Sequence, residues 1–190
     1  GIGRAYAELF ASNGARVIVN DLGGDSDGSG SSGSPADDTV AAIVAAGGDA
    51  VADYHDVSDF EGAAAMVEAA VARYGRLDVL INNAGILRDR AIVNMTEGEW
   101  DSVIKVHLKG TFAPTSAAAR HWRQRSKAGE AVDGRVINTT SSSGLYANPG
   151  QANYSAAKAG IASFTIVASR ELERYGVTVN AIYPTAISRL

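Results

Sequence analysis

Ser141, Tyr154 and Lys158 are the side chains of this sequence best suited to chemistry at an alcohol or a ketone. Tyr154 and Lys158 stand at i and i+4, so on a helix they share one face. A free phenol titrates near ~10, and a neighbouring ammonium favours its phenolate. The positive ring of an oxidised nicotinamide would act in the same direction. Such a phenol takes a proton in alcohol oxidation and returns it in ketone reduction. Ser141, at a predicted strand end, can donate to the substrate oxygen and fix its place. Alone, a Tyr-x-x-x-Lys pair is an ordinary exposed helix face. The serine upstream and a nucleotide-binding pattern before it favour chemistry instead.

That nucleotide pattern has four parts. Gly1-Ile2-Gly3 is a glycine turn opening a helix, where backbone can approach a pyrophosphate closely. Asp21 ends the second strand of such a unit, and its carboxylate suits ribose hydroxyls and repels a 2′-phosphate. No Arg or Lys follows it in the next loop, which favours NAD over NADP. Asp56-Val57 follows a further strand and can hold adenine; read blandly, it is a surface turn. Asn83-Ala84-Gly85, after Asn82, puts small residues at a strand end where a ribose could lie.

The elements that must position these groups alternate. Helices are predicted over Arg4 to Asn13, Ala36 to Ala46 and, capped by Ser58, onward to Tyr74. Thr96 caps a long helix from Glu97 towards Gln124, and the helix carrying Tyr154 runs to about Arg174. Strands are predicted over Arg16 to Asn20, Ala50 to Tyr54, Leu77 to Ile81, Arg135 to Asn138 and Val177 to Ile182. Gly23 to Pro35 is a Gly/Ser/Asp-rich loop. The alternation predicts an α/β fold, a Rossmann-type doubly wound parallel sheet with helices on both faces. In such a sheet ligands bind beyond the carboxyl ends of the strands, where Asp21, Asp56, Asn83, Ser141 and Pro184 all fall.

Composition narrows the class. The 190 residues suffice for one domain, and 46% apolar with 20% charged is ordinary for a globular chain. A net charge of −4 argues against nucleic acid or an anionic membrane as the main partner. With no cysteine there is no disulfide framework and no thiolate metal site; no metal is expected. No strand precedes the first glycine, and the chain stops just after a strand. The expectation is therefore a single dinucleotide-binding catalytic domain over 1–190, lacking its first strand and its C-terminal end.

Together Gly1-Ile2-Gly3, Asn82-Asn83-Ala84-Gly85, Ser141, Tyr154 and Lys158 make the sequence similar to the short-chain dehydrogenases/reductases, over essentially its whole length. The resemblance implies a substrate lobe built beyond Leu190, and homodimers or homotetramers formed on the two long helices. It also makes Lys158 a ribose contact. Two departures stand out. His107 occupies a position where the family usually has an asparagine that holds a proton-relay water, and a relay role for His107 is weighed against plain helix packing. In Pro184-Thr185-Ala186-Ile187-Ser188-Arg189, Ile187 can still offer its backbone to the nicotinamide, as Pro184 lies against it. These features, with Asn20 to Asp25 and Asn83 to Arg90, resemble the (3R)-hydroxyacyl-CoA dehydrogenase unit of the peroxisomal multifunctional β-oxidation enzyme and its bacterial relatives.

The expected function is NAD-dependent interconversion of a secondary alcohol and a ketone, with a (3R)-3-hydroxyacyl-CoA as substrate. Leu145, Tyr146 and Gln151 are expected in the substrate wall beside Ser141 and Tyr154. A hydroxysteroid dehydrogenase or 3-oxoacyl reductase is the alternative within the same chemistry. A non-catalytic NAD-sensing module is the alternative outside it, and it would have no use for Ser141, Tyr154 and Lys158 together. The resemblance implies a cytoplasmic enzyme in a bacterium, or a peroxisomal one in a eukaryote.

Overall fold

A computed structural model describes residues 1–24, 27–30 and 34–185. Its elements follow the predicted alternation with shifted boundaries. Helix α1 (Ile2–Ser12) begins two residues earlier than predicted, so Ile2 and Gly3 already belong to its first turn, and Gly1 is the N-cap. Strand β1 (Arg16–Asn20) pairs in parallel with β2 (Asp49–Asp53), in register from Arg16–Asp49 to Asn20–Asp53. Helix α2 (Ser34–Ala45) lies between them in sequence. The predicted Gly23 to Pro35 loop falls partly outside the described residues.

Helix α3 (Phe60–Tyr74) is capped not by Ser58 but by Asp59, whose carboxylate accepts from the Gly62 amide at 2.8 Å. Ser58 is fully buried, and its hydroxyl is occupied by the Asp56 carboxylate. Gly75 ends the helix in the left-handed region (φ 76°), where a side chain would be strained. Strand β3 (Val79–Asn82) follows.

The single long helix predicted from Glu97 divides into three parts. Thr96 closes a capping box with Glu99 at the start of α4 (Glu97–Ile104). Residues Lys105–Lys109 then form a π turn, and α5 (Gly110–Lys127) continues beyond it. The π turn places His107 among the buried residues. Helical periodicity does not reveal such a one-residue expansion.

Strand β4 (Gly134–Thr139) lies between β3 and β5 (Val177–Ile182), all parallel. A five-residue helix α6 (Ser142–Tyr146), not predicted, precedes α7 (Ala152–Leu172). Gly144 is what lets α6 approach: a Cβ there would sit 2.7 Å from the Lys158 carbonyl carbon.

Two cores hold the layers. Ala11, Ile43 and Ala50 join α1 and α2 to the β1–β2 pair. Leu80, Val136 and Val179 pack with Ala117, Trp122, Ala168 and Leu172 from α5 and α7, and with Val67 from α3. A buried polar ladder crosses this second core. Asn82 Nδ2 donates to Asn138 Oδ1 (2.8 Å) and Thr115 Oγ1 (2.9 Å), while Asn138 Nδ2 donates to Thr165 Oγ1 (2.9 Å). Every member is paired, so the ladder fixes β3, β4, α5 and α7 in one register. Strands β1 and β3 do not pair with each other, and a cleft follows their facing edges to the carboxyl ends of the strands.

Candidate active site

The nucleotide end of this cleft is lined by Gly1, Ile2, Gly3, Asp21, Asp56, Val57, Asn83, Ala84 and Gly85, all of them predicted. Gly3 is held by contact: a Cβ there would lie 3.0 Å from Asn83 Nδ2. The N-terminus of α1 opens into this end, with backbone N–H groups suited to a pyrophosphate. Asp21 is positioned by its own amide, which donates to the Asp53 carbonyl (3.1 Å), and its Oδ1 accepts from the Gly23 amide (2.7 Å). Asp56 is more engaged than the sequence implied. Burial pushes its carboxyl up, but Ser58 and Lys105 outweigh burial and hold it below its ordinary value. Its Oδ1 takes both the Ser58 amide and hydroxyl, and its Oδ2 the Lys105 ammonium at 3.3 Å. The cradle therefore fits a dinucleotide: close backbone, a helix N-terminus and the Asp21 carboxylate just past the end of β1.

The chemical end brings Ser141, Tyr154, Lys158, His107 and Pro184 to the same cleft. Ser141 caps α6, its Oγ accepting from the Ser143 amide at 3.2 Å. Lys158 is 3% exposed, donates to the Thr139 carbonyl (2.7 Å) and lies 5.5 Å from the Tyr154 ring centroid. Burial lowers its ammonium to about 8. The expectation that this ammonium would depress the Tyr154 phenol is not met. Burial raises the phenol, with the Ser141 hydroxyl pulling it down and the Asp89 carboxylate adding to the rise. The lysine donates to the Thr139 carbonyl and lies over the Tyr154 ring.

His107 is 1% exposed and meets the Tyr154 ring edge-on, centroids 5.1 Å apart. Its Nε2 lies 3.0 Å from the Ile86 amide and 2.8 Å from the Ile86 carbonyl, while Nδ1 has no partner. A methyl group on Gly85 would collide with its ring. Burial, aided by Lys158, holds the imidazole neutral down to about 3.

Leu145, Tyr146 and Gln151 do not line the cleft. Leu145 and Tyr146 are exposed on α6, and the Gln151 amide is spent on Asp89, Ser143 and Asn148. Ile187 and Arg189 lie outside the described residues. Sequence reasoning missed Thr139, whose carbonyl seats Lys158, and Asn138 and Asn153, buried polar residues with no spacing signal of their own.

The comparisons with known proteins agree with this geometry. The family model described as short chain dehydrogenase matches residues 1–189. The chain belongs to the short-chain dehydrogenase family. It is 47% identical to the peroxisomal multifunctional enzyme type 2 of Drosophila melanogaster over all of its length, which is 30% of that protein. It is also 47% identical to the hydroxyacyl-CoA dehydrogenase ChsB1 of Mycobacterium tuberculosis, over 98% of this chain and 58% of that one. A crystal structure of a short chain dehydrogenase from Mycobacterium avium superposes with a TM-score of 0.92 at 59% identity, covering 98% of this chain and 64% of that chain. The doubly wound fold expected from the sequence is thus borne out. The chain spans less than a third of the fly protein and under two thirds of the mycobacterial ones.

Proposed function

We propose that this domain oxidises the secondary alcohol of a (3R)-3-hydroxyacyl-CoA to the ketone with NAD⁺. The observation that carries the proposal is the convergence of Ser141, Tyr154 and Lys158 on the cleft whose other end is lined by Gly1 to Gly3, Asp21 and Asn83 to Gly85. When bound, the dinucleotide supplies the acceptor for the hydride of the alcohol carbon. Tyr154 takes the hydroxyl proton at its phenolic oxygen, and Ser141 holds the substrate oxygen by donating to it. Lys158, seated on Thr139 beside the Tyr154 ring, would supply the ribose contact. Asp21 supports NAD over NADP, because a 2′-phosphate would meet a carboxylate. The acyl-CoA substrate is supported by the names of the relatives, among them the mycobacterial hydroxyacyl-CoA dehydrogenase. The raised phenol makes Tyr154 a proton donor at neutral pH, so the same site serves ketone reduction, and oxidation should speed up as pH rises.

A second copy of this chain is the proposed partner. Phe60, Phe112 and Phe164 form an aromatic row with centroids 5.9 and 6.1 Å apart, and Phe60 and Phe112 remain 40% and 45% exposed. Ile166 and Val167 add exposed apolar surface on α7.

The test is turnover of (3R)- and (3S)-3-hydroxyacyl-CoA by the full-length protein with each cofactor, alongside Tyr154→Phe. Oxidation of the 3R isomer with NAD⁺, lost by at least about 10²-fold in the variant, is expected. Normal turnover by Tyr154→Phe would sink the mechanism, and preference for another alcohol would replace the substrate.

A further inference from the structure

Asn153 precedes Tyr154 by one position and is completely buried in the first turn of α7. Its amide is a three-way junction. Nδ2 donates to the Arg88 carbonyl at 3.1 Å and to the Glu99 carbonyl at 3.0 Å, and Oδ1 accepts from the Tyr154 amide at 2.7 Å. The orientation of the amide is dictated by its partners, since two carbonyls require the NH₂ group and one N–H requires the oxygen. Helix α7 starts without a side-chain bond from its N-cap Gln151, so Asn153 itself satisfies one of the free N–H groups of that first turn.

The segments tied together here are the ones that must stay in register for catalysis. Arg88 follows closely on the Asn83 to Ile86 loop that lines the cleft and clasps His107. Glu99 belongs to the capping box of α4 and pairs with Arg90 at 3.0 Å. The same strap continues at the surface: the Arg90 amide donates to the Gly150 carbonyl (2.8 Å), and the Gln151 amide to Asp89 Oδ2 (2.8 Å). A displacement of the 88–90 segment would therefore rotate the turn that carries the phenol.

We propose that Asn153 is a positioning residue, its amide locking Tyr154 to the 88–90 segment and to α4 so that the phenol faces the substrate oxygen. The proposal rests on the reading of Tyr154 as the proton-transfer group. Aspartate would keep the acceptor and lose the paired donors, and alanine loses all three bonds.

The experiment compares wild type, Asn153→Ala and Gln151→Ala in the full-length protein. It reads kcat, KM, NAD⁺ affinity by fluorescence, thermal midpoint, and kcat against pH. Asn153→Ala should lower kcat about ten- to a hundred-fold per cofactor-binding site, as expected for a misplaced reacting group. NAD⁺ affinity should stay within about two-fold, a split that marks a transition-state effect. The pH midpoint of kcat should move, because the Asp89 charge raises the phenol and belongs to the same strap, while His107 and Lys158 pack against the Tyr154 ring and stay in place. Gln151→Ala cuts only the surface half of the strap and should lower kcat about three- to ten-fold. If Asn153→Ala merely loses folded protein while kcat per binding site and the pH midpoint stay put, the proposal is overturned. If that variant does not fold, an unchanged kcat and pH profile in Gln151→Ala overturns it. An active Tyr154→Phe enzyme would instead overturn the functional reading beneath it.

Discussion

His107 shows how one side chain can serve structure and pH response together. It is buried, neutral and wedged between Gly85, Ile86 and Tyr154. Its folded pKa, about 3, lies below the ordinary 6.5, so the unfolded chain binds a proton that the native state refuses. The stability this confers is complete above 6.5 and is lost as pH falls towards 3. Between pH 6.5 and 4 the loss should reach roughly 3 kcal/mol. His107→Asn should flatten that acid limb, measured by urea unfolding across the range; equal slopes in the two proteins would refute the buried neutral state. At the other end of the cleft, Asp21→Ala should weaken NAD⁺ about ten- to a hundred-fold, the scale of lost hydrogen bonds to a charged group. NADP⁺ should be weakened far less, or gain. Parallel fluorescence titrations decide this, and an equal loss for both cofactors would remove Asp21 from the ribose site.

At the scale of elements, the segment between Ser141 and Tyr154 is a structured connection rather than a spacer. It holds α6 and the one non-glycine residue with positive φ among those described, Ala147 (φ 60°, ψ 163°). That region belongs to glycine, and a side chain in it costs about 1–3 kcal/mol. The Ser143–Gln151–Asn148 bonds hold the turn in place. Ala147→Gly should stabilise the protein by about 1 kcal/mol net, since strain relief exceeds the added entropy of the unfolded glycine. Thermal or denaturant unfolding checks the sign, and a destabilised variant would mean the conformation carries no strain.

For the whole molecule, α7 is buried on one face only within the chain. Ala157, Lys158, Ile161, Thr165, Ala168 and Leu172 face inward, whereas Ile166 and Val167 are 54% and 51% exposed. The Phe60–Phe112–Phe164 row lies across the neighbouring helices, and Arg120 covers Phe60 at 5.1 Å. This exposed aromatic surface is the face that the proposed second copy would cover. Phe112→Glu should weaken self-association of the full-length protein at least about ten-fold, since it places a charge in an apolar interface. Sedimentation velocity over a concentration series measures this, and an unchanged profile would move the interface elsewhere.

Much of the fold was legible in the sequence because its signals are local. Apolar runs such as Val-Leu-Ile at 79–81 and the Thr96 cap each depend on a few neighbouring residues. The same holds for Tyr154 and Lys158, whose i, i+4 spacing needs only a helix to put them together. The π turn at 105–109, the Asp59 cap and the short α6 escaped the sequence reading, because each is chosen by competing local options that tertiary packing settles. The electrostatics escaped it too. Sequence spacing places an ammonium near a phenol, but only the folded structure shows that Lys158 is committed to Thr139 and that burial raises Tyr154. Asn153 is the clearest case. One asparagine beside a tyrosine carries no pattern, and its partners Arg88 and Glu99 lie 65 and 54 residues away. The sequence by itself singled out the groups proposed for the chemistry; the tertiary structure decided how they are charged and aimed, because field and alignment depend on residues that meet only when the chain is folded.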